Sequence, residues 1–178
     1  MPLVVAALVM SMGASVFSMP STELDWIVVN DNVMGGRSQG GFSVDDDVII
    51  FEGKTNTNGG GFSSIRTGMA ALDLSHSAGI TLRVKGDGRR YTWQLSSGAR
   101  WRGYEVSFWQ DFDTVDGEWQ TVRLAFAGFI PKIRGSRLKG PGVDASRISG
   151  MGLMIYDNLD GPFSITLGEI GAYEAEED

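Results

Sequence analysis

The strongest constraint in this sequence is a two-residue alternation. Ile80, Leu82 and Val84 alternate with polar neighbours, and Tyr91, Trp93 and Leu95 repeat the pattern beyond the turn Gly86-Asp87-Gly88. Tyr104, Val106 and Phe108 follow, then Val122, Leu124 and Phe126, then Met151, Leu153 and Ile155, and last Phe163, Ile165 and Leu167. Successive side chains of a strand point to opposite faces, so a period of two marks strands with one face in a core. No window sustains the apolar period of an amphipathic helix. The 25 Gly furnish turns between short strands, and five Trp, nine Phe and four Tyr furnish bulky core material. The expected fold class is all-β, an antiparallel β-sandwich or a barrel, which differ in closure and not in periodicity.

At 178 residues the simplest organisation is a leader over residues 1–15, one sandwich domain over 16–173 and an acidic tail over 174–178. Residues 1–19 contain no charged side chain, and Leu3 to Met12 form a compact apolar run. That run is shorter than the ~20 residues a membrane-spanning helix needs, so no span is expected. It fits the apolar centre of a secretory signal, with Ser11, Gly13 and Ser15 as small residues for cleavage, and export or a periplasmic location is then expected. No Lys or Arg precedes the run, which keeps a buried N-terminal strand in an intracellular protein as the alternative. There is no cysteine, hence no disulfide and no thiolate chemistry. The formal charge is −7, and without the tail 15 cations face 18 acids. Nucleic-acid binding is not expected of such a balance, because affinity for the phosphate backbone needs a basic surface.

Two glycine-bearing loops stand out. Val28 and Val29 run into Asn30-Asp31-Asn32-Val33-Met34-Gly35-Gly36-Arg37-Ser38, and Asn58-Gly59-Gly60-Gly61-Phe62-Ser63-Ser64 follows a hairpin. The hairpin reads as two strands, through Phe42 and Val44 and then Val48 to Phe51, around Asp45-Asp46-Asp47. Short Asp and Asn side chains bond to nearby backbone, so the first reading of residues 30–38 is a self-bonded structural loop. Pro131 to Pro141 holds four cations and no acid and reads as a long exposed loop.

Taken together these landmarks resemble the complex I intermediate-associated protein 30 family. The matching residues are Trp26 and Asn30 to Ser38, Gly60 to Arg66, Gly86 to Tyr91, Trp119 to Leu124, Gly128 to Pro131, Arg134-Gly135, Ile148 to Asp157 and Gly161 to Phe163. Asn32 stands where that family commonly has Gly. The resemblance covers roughly residues 17–173. It implies a jelly-roll sandwich of the galactose-binding-domain-like type, similar to carbohydrate-binding modules. It also implies a non-catalytic binding or assembly module with a protein partner, such as subunits of a respiratory or other membrane complex. A carbohydrate-binding module that uses exposed aromatics is the alternative, with a glycan as its ligand. For small stand-alone members the resemblance implies no settled activity, and no cofactor is expected.

Chemistry is sparse. Gly36-Arg37-Ser38-Gln39-Gly40 matches G-x-S-x-G formally, but that elbow needs a helix after the serine, whereas Phe42 and Val44 continue as a strand. His76, the only histidine, lies in a polar turn without a second His or Cys, so a surface residue is expected and not a metal ligand. Asp111 to Gly117 misses a calcium loop, because Val115 takes a ligand position. No carboxylate pair is selected for glycoside hydrolysis. Trp93 and Tyr104 fall in phase with core positions, while Trp109 falls out of phase with Phe108 and is the aromatic expected to be exposed for a sugar. The candidate ligand- or partner-binding residues are Asn30, Asp31, Asn32, Met34, Gly35, Gly36 and Ser38 of the first loop and Gly60, Gly61 and Phe62 of the second. Arg66, Trp109, Arg134 and Asp157 join them, since glycine amides with Arg and Asn suit anionic or polyhydroxyl groups. An equal expectation is that Asp31 or Asp157 pairs with Arg66 or Arg134 to pin loops together.

Overall fold

The structure, a computed structural model, describes residues 15–175. The leader expected over residues 1–15 therefore lies, but for Ser15, outside the described residues. Thirteen strands are labelled here in chain order: β1 (Ser15–Pro20), β2 (Ile27–Asn30), β3 (Gln39–Asp45), β4 (Val48–Thr55), β5 (Ser63–Leu72), β6 (Gly79–Lys85) and β7 (Arg90–Trp101). They continue with β8 (Tyr104–Asp113), β9 (Trp119–Ala125), β10 (Ile130–Ile133), β11 (Ser136–Arg137), β12 (Ile148–Ile155) and β13 (Gly161–Tyr173). The alternating segments thus form strands, and the acidic turn does join a hairpin, β3 to β4.

The strands make two antiparallel sheets. One runs β3-β4-β13-β6-β9, with β1 also paired to β13, and the other runs β11-β10-β8-β7-β12-β5-β2. Strand β13 is long enough to pair β4 with its first half, as in Ile165 opposite Phe51, and β1 with its second, as in Ile170 opposite Met19. Its pairing to β6 shifts register between Leu167 and Ile170. That bulge lets Phe163, Ile165 and Leu167 and then Ile170 and Ala172 all point inward, although the two sets are out of phase by one residue.

The inward faces meet in one core. Ile49, Phe51, Leu82, Val84, Ile165 and Leu167 come from the first sheet, and Trp93, Leu95, Phe108 and Leu153 from the second. Each such side chain, when fully buried, contributes roughly 1.5–3 kcal/mol relative to exposure, which is why the alternation fixes the fold. Trp26 seals one end, packing edge-on to Trp93 at 6.3 Å.

Two expectations fail. Tyr104 is 49% exposed and not a core residue, because it opens β8 at the hairpin tip opposite Trp101, beyond the facing sheet. The segment from Pro131 begins as a hairpin and not as a long loop: β10 and β11 pair across Arg134-Gly135. Both turn residues have positive φ, 50° and 81°, the combination required by a tight turn whose twist matches its strands. Among the described residues no helix is long and apolar enough to cross a membrane.

Candidate ligand cleft and the loops beside it

The first loop is built around Asp31. A single 3-10 turn, Asp31–Met34, follows β2 and is closed by Gly35 at φ 81°. Asp31 is fully buried, and its carboxylate accepts the backbone N–H of Ser38 at 2.9 Å and of Gly61 at 2.7 Å. Burial opposes its ionisation, but the hydrogen bonds from Ser38, Gly61 and Phe62 outweigh it and hold the carboxyl below the ordinary Asp value. Gly36 and Gly60 are required by this approach, since a Cβ on either would stand 2.3 Å from Asp31 Cγ or 2.7 Å from its Oδ2. Asp31 thus ties the two glycine loops to each other. Ser38 is buried as well; its Oγ accepts Asn56 N–H at 2.9 Å, so it is no exposed nucleophile. Asn30 is held from both sides, its amide donating to Gly40 O and its oxygen accepting the Ser63 hydroxyl.

Asp157 is also engaged, though with neither cation expected of it. Arg89 grips it with two parallel bonds, Nε to Oδ2 at 2.8 Å and Nη2 to Oδ1 at 2.6 Å. The same guanidinium donates to the carbonyls of Leu159, Gly161 and Pro162 and to the Thr55 hydroxyl. With side chains 13% and 6% exposed, this pair welds β4, the β12–β13 connection and the turn before β7. Beside it, burial and the neighbouring Asp87 carboxylate push the Tyr91 phenol up, and Asp87 accepts both the Tyr91 hydroxyl and Ser164 N–H. Arg89 lay in a quoted motif, yet its role had no signal beyond being an arginine in a tight turn.

The cleft itself lies on the outer face of the second sheet and encloses about 770 Å³. Register explains its shape. Across β2, β5, β12, β7, β8 and β10 one row reads Ile27, Arg66, Gly152, Gln94, Trp109 and Ile130. The next row places Gly68, Gly150, Ser96, Ser107 and Lys132 side by side. Glycines on β12 leave the floor low in the middle, and a Cβ at Gly152 would meet Gln94 Oε1 at 2.8 Å and Arg66 Cγ at 3.4 Å. Polar side chains of strand interiors therefore line a trough that the alternation marked only as outward-facing. Gln94, Ser96, Ser107 and Glu105 were missed for that reason. Above the trough stand Val33, Met34 and Phe62 from the two glycine loops, Tyr156 after β12, and Arg134 with Gly135 from the β10–β11 turn.

Of the sequence candidates, the cleft gathers Met34, Gly60, Phe62, Arg66, Trp109 and Arg134. Asn30, Asp31, Gly36, Ser38, Gly61 and Asp157 instead brace the loops behind it, and Asn32 and Gly35 are exposed on the turn outside its lining. Trp109 is half-buried, its indole N–H donates to Ser107 Oγ at 2.7 Å, and the Lys132 ammonium sits 4.3 Å from its ring centre. Arg134 covers Tyr104 at 4.7 Å and Arg102 covers Trp101 at 4.3 Å. Five such cation–ring contacts occur among the described residues, where about one per 70–80 residues is usual, so several aromatic faces already carry a cation. Among the described residues no group of three or more His, Cys, Asp or Glu side chains is placed to hold a metal, and His76 is exposed.

Two packed antiparallel sheets define a jelly-roll sandwich, and solved structures share that fold. The family 11 carbohydrate-binding module of Clostridium thermocellum, solved with a β-1,3-1,4-mixed-linked tetrasaccharide, is similar at TM-score 0.62 and 13% identity, over 93% of this chain and all of that one. The same kind of module in the cellulosomal cellulase Lic26A-Cel5E of that organism matches at 0.59 and 14%, over 86% and 89%. The agarase AgWH50C matches at 0.55 and 12%, over 90% of this chain and 25% of its own. At such identities the likeness concerns the fold, which is galactose-binding-domain-like. The sequence itself is matched over residues 15–167 by the model of complex I intermediate-associated protein 30 (CIA30), and the chain belongs to that family.

Proposed function

We propose that this chain is a non-catalytic binding module that seats a segment of a protein partner in the trough of its second sheet, as one step in assembling a larger complex. The observation that carries the reading is the trough itself. It combines polar strand residues at its base with an apolar lip whose Val33 and Met34 are 72% and 69% exposed. Large exposed apolar side chains beside a concave polar floor are what a recognition surface requires, whereas a folded module with no partner gains nothing from exposing them. Family membership supports the assembly role, and the burial of Ser38 together with the bonding of Asp31 supports the absence of chemistry there. Export to the periplasm with removal of residues 1–15 is part of this proposal, and mature protein from the native host is expected to start near residue 16.

The alternative, a glycan in the same trough, is favoured by the combination of Trp109, Tyr156 and the amide and hydroxyl groups of Gln94, Ser96 and Ser107. Against it, sugar rings stack on open aromatic faces, and Trp109 carries Lys132 on one of its own. A photo-crosslinking residue placed at Met34, with one at the exposed Val44 of β3 as control, separates the readings in cells. Defined protein subunits cross-linked from Met34 and not from Val44 are the expected result. Equal labelling from both positions, or glycan binding by calorimetry that protects Met34 from labelling, overturns it.

A further inference from the structure

Resting on that reading of the trough, we propose that its occupant is an acidic peptide segment, held by a carboxylate on Arg66 with apolar neighbours against the Met34–Phe62 lip. Arg66 is half-buried on β5, and its hydrogen-bond geometry leaves it unfinished. Nε donates to Ser64 Oγ at 3.2 Å, and that hydroxyl donates in turn to Val29 O at 2.8 Å, which fixes the side chain against β2. The Nη groups meet no acceptor among the described residues, and no carboxylate lies within ion-pair distance. Gly152 leaves room for the arginine stem to lie across β12, so the guanidinium is carried to the base of the trough and not out to solvent. Burial pushes it below the ordinary arginine value, and Glu105 offsets this only in part. Arginine stays charged regardless. The result is a positioned fork of N–H donors in a partly dry site, a geometry that matches a carboxylate with two parallel bonds.

Charge sharpens the assignment. The chain carries 22 acids to 15 cations, yet the trough is lined by Arg66 and Arg134 against Glu105 alone, with Lys132 beside Trp109. An acidic protein that reserves a cationic trough attracts an anionic segment and repels copies of itself. A peptide fits better than an acidic sugar because three unbranched methionines, Met34, Met151 and Met154, line the site with Phe62, and Met34 stands exposed at its lip.

A random-peptide phage library panned on the full chain tests this. Selected peptides are expected to place Asp or Glu next to Leu, Met or Phe. By fluorescence anisotropy, one such peptide should bind Arg66→Gln about tenfold or more weakly, since a charge-assisted pair is lost, and Glu105→Gln several-fold more tightly. Replacing the peptide's Glu by Gln should weaken wild type and leave Arg66→Gln unchanged. Neutral or basic selected peptides, or an Arg66→Gln affinity equal to wild type, overturn the proposal. Oligogalacturonate that binds wild type and loses affinity at Arg66→Gln, while no acidic peptide binds, would overturn it in favour of a glycan. Cross-links from Met34 that persist without any acid preference remove this inference and leave the binding module standing; absence of both removes the two together.

Discussion

Arg89 and Arg66 carry the same side chain on the same sandwich and meet opposite fates. Arg89 spends its guanidinium inside the molecule, on the Asp157 carboxylate, three carbonyls and a hydroxyl. Arg66 gives one donor to Ser64 and turns the rest to the trough. The same contrast separates the regions around them. At the end of the sandwich, Asp31 and Asp157 are saturated by partners from the chain itself. Across the face of the second sheet, half-buried Arg66 bonds among the described residues only through Nε, and the Gln94 amide has a thioether, that of Met154 at 3.7 Å, as its acceptor. A polar group satisfied internally stabilises the fold and offers a ligand nothing, while one left partly dry and unpaired is available for recognition.

The largest effect that would break the comparison is at Arg89. Arg89→Met should lower stability by about 3 kcal/mol, because it strips the nearly buried Asp157 carboxylate of its ion-pair partner and leaves it only the Leu159 N–H. Chemical denaturation followed by tryptophan fluorescence reads this directly, and a loss under 1 kcal/mol would show that the weld is not structural. Asp31→Asn comes next, at about 2 kcal/mol, since one of the buried amides of Ser38 and Gly61 then faces an NH₂ group. Peptide affinity measured on the folded fraction should not change.

Asp31 also predicts a pH dependence with a definite sign. Its folded-state value lies below the ordinary 3.8, so its contribution to stability is fully present above that value and is lost as pH falls through the lower folded one. The stability gap between wild type and Asp31→Asn should therefore stay constant from neutrality to about pH 5 and close only in stronger acid. A gap that instead narrowed around neutrality would mean burial, and not the amide bonds, governs the carboxyl.

How legible was this in the sequence? The alternation at Tyr91-Trp93-Leu95 and Met151-Leu153-Ile155 placed the core because period two has only one structural meaning. It failed at Tyr104, where a strand outruns the sheet that would cover it. The loops Asn30–Ser38 and Gly60–Ser64 were visible by composition, and their self-bonded reading follows from short acidic side chains beside glycine. What composition does not carry is pairing between distant segments. The pairing expected of Asp31 or Asp157 with Arg66 or Arg134 does not form: Asp31 takes backbone amides and Asp157 takes Arg89, because which loops approach is decided by strand order and not by local chemistry. Gln94, Ser96 and Ser107 were invisible as a site for a related reason. Each is an ordinary outward residue on its own strand, and only register sets them beside Arg66, Gly152 and Trp109.

The smallest expected effect sharpens the comparison most. Arg66→Gln should change stability by no more than about 0.5 kcal/mol, in contrast to Arg89→Met, because it ends no ion pair and removes a charge that burial already penalises. Glutamine keeps the stem over Gly152 and still reaches Ser64. Thermal melts of the two variants side by side test this. A loss at Arg66 approaching that at Arg89 would mean that the guanidinium is braced within the fold and that the trough has no spare donor for a ligand. Equal or slightly higher stability, together with weaker binding of an acidic peptide, would place the two arginines on opposite sides of one physical division: a charge that the fold uses, and a charge that the fold bears for the sake of what it binds.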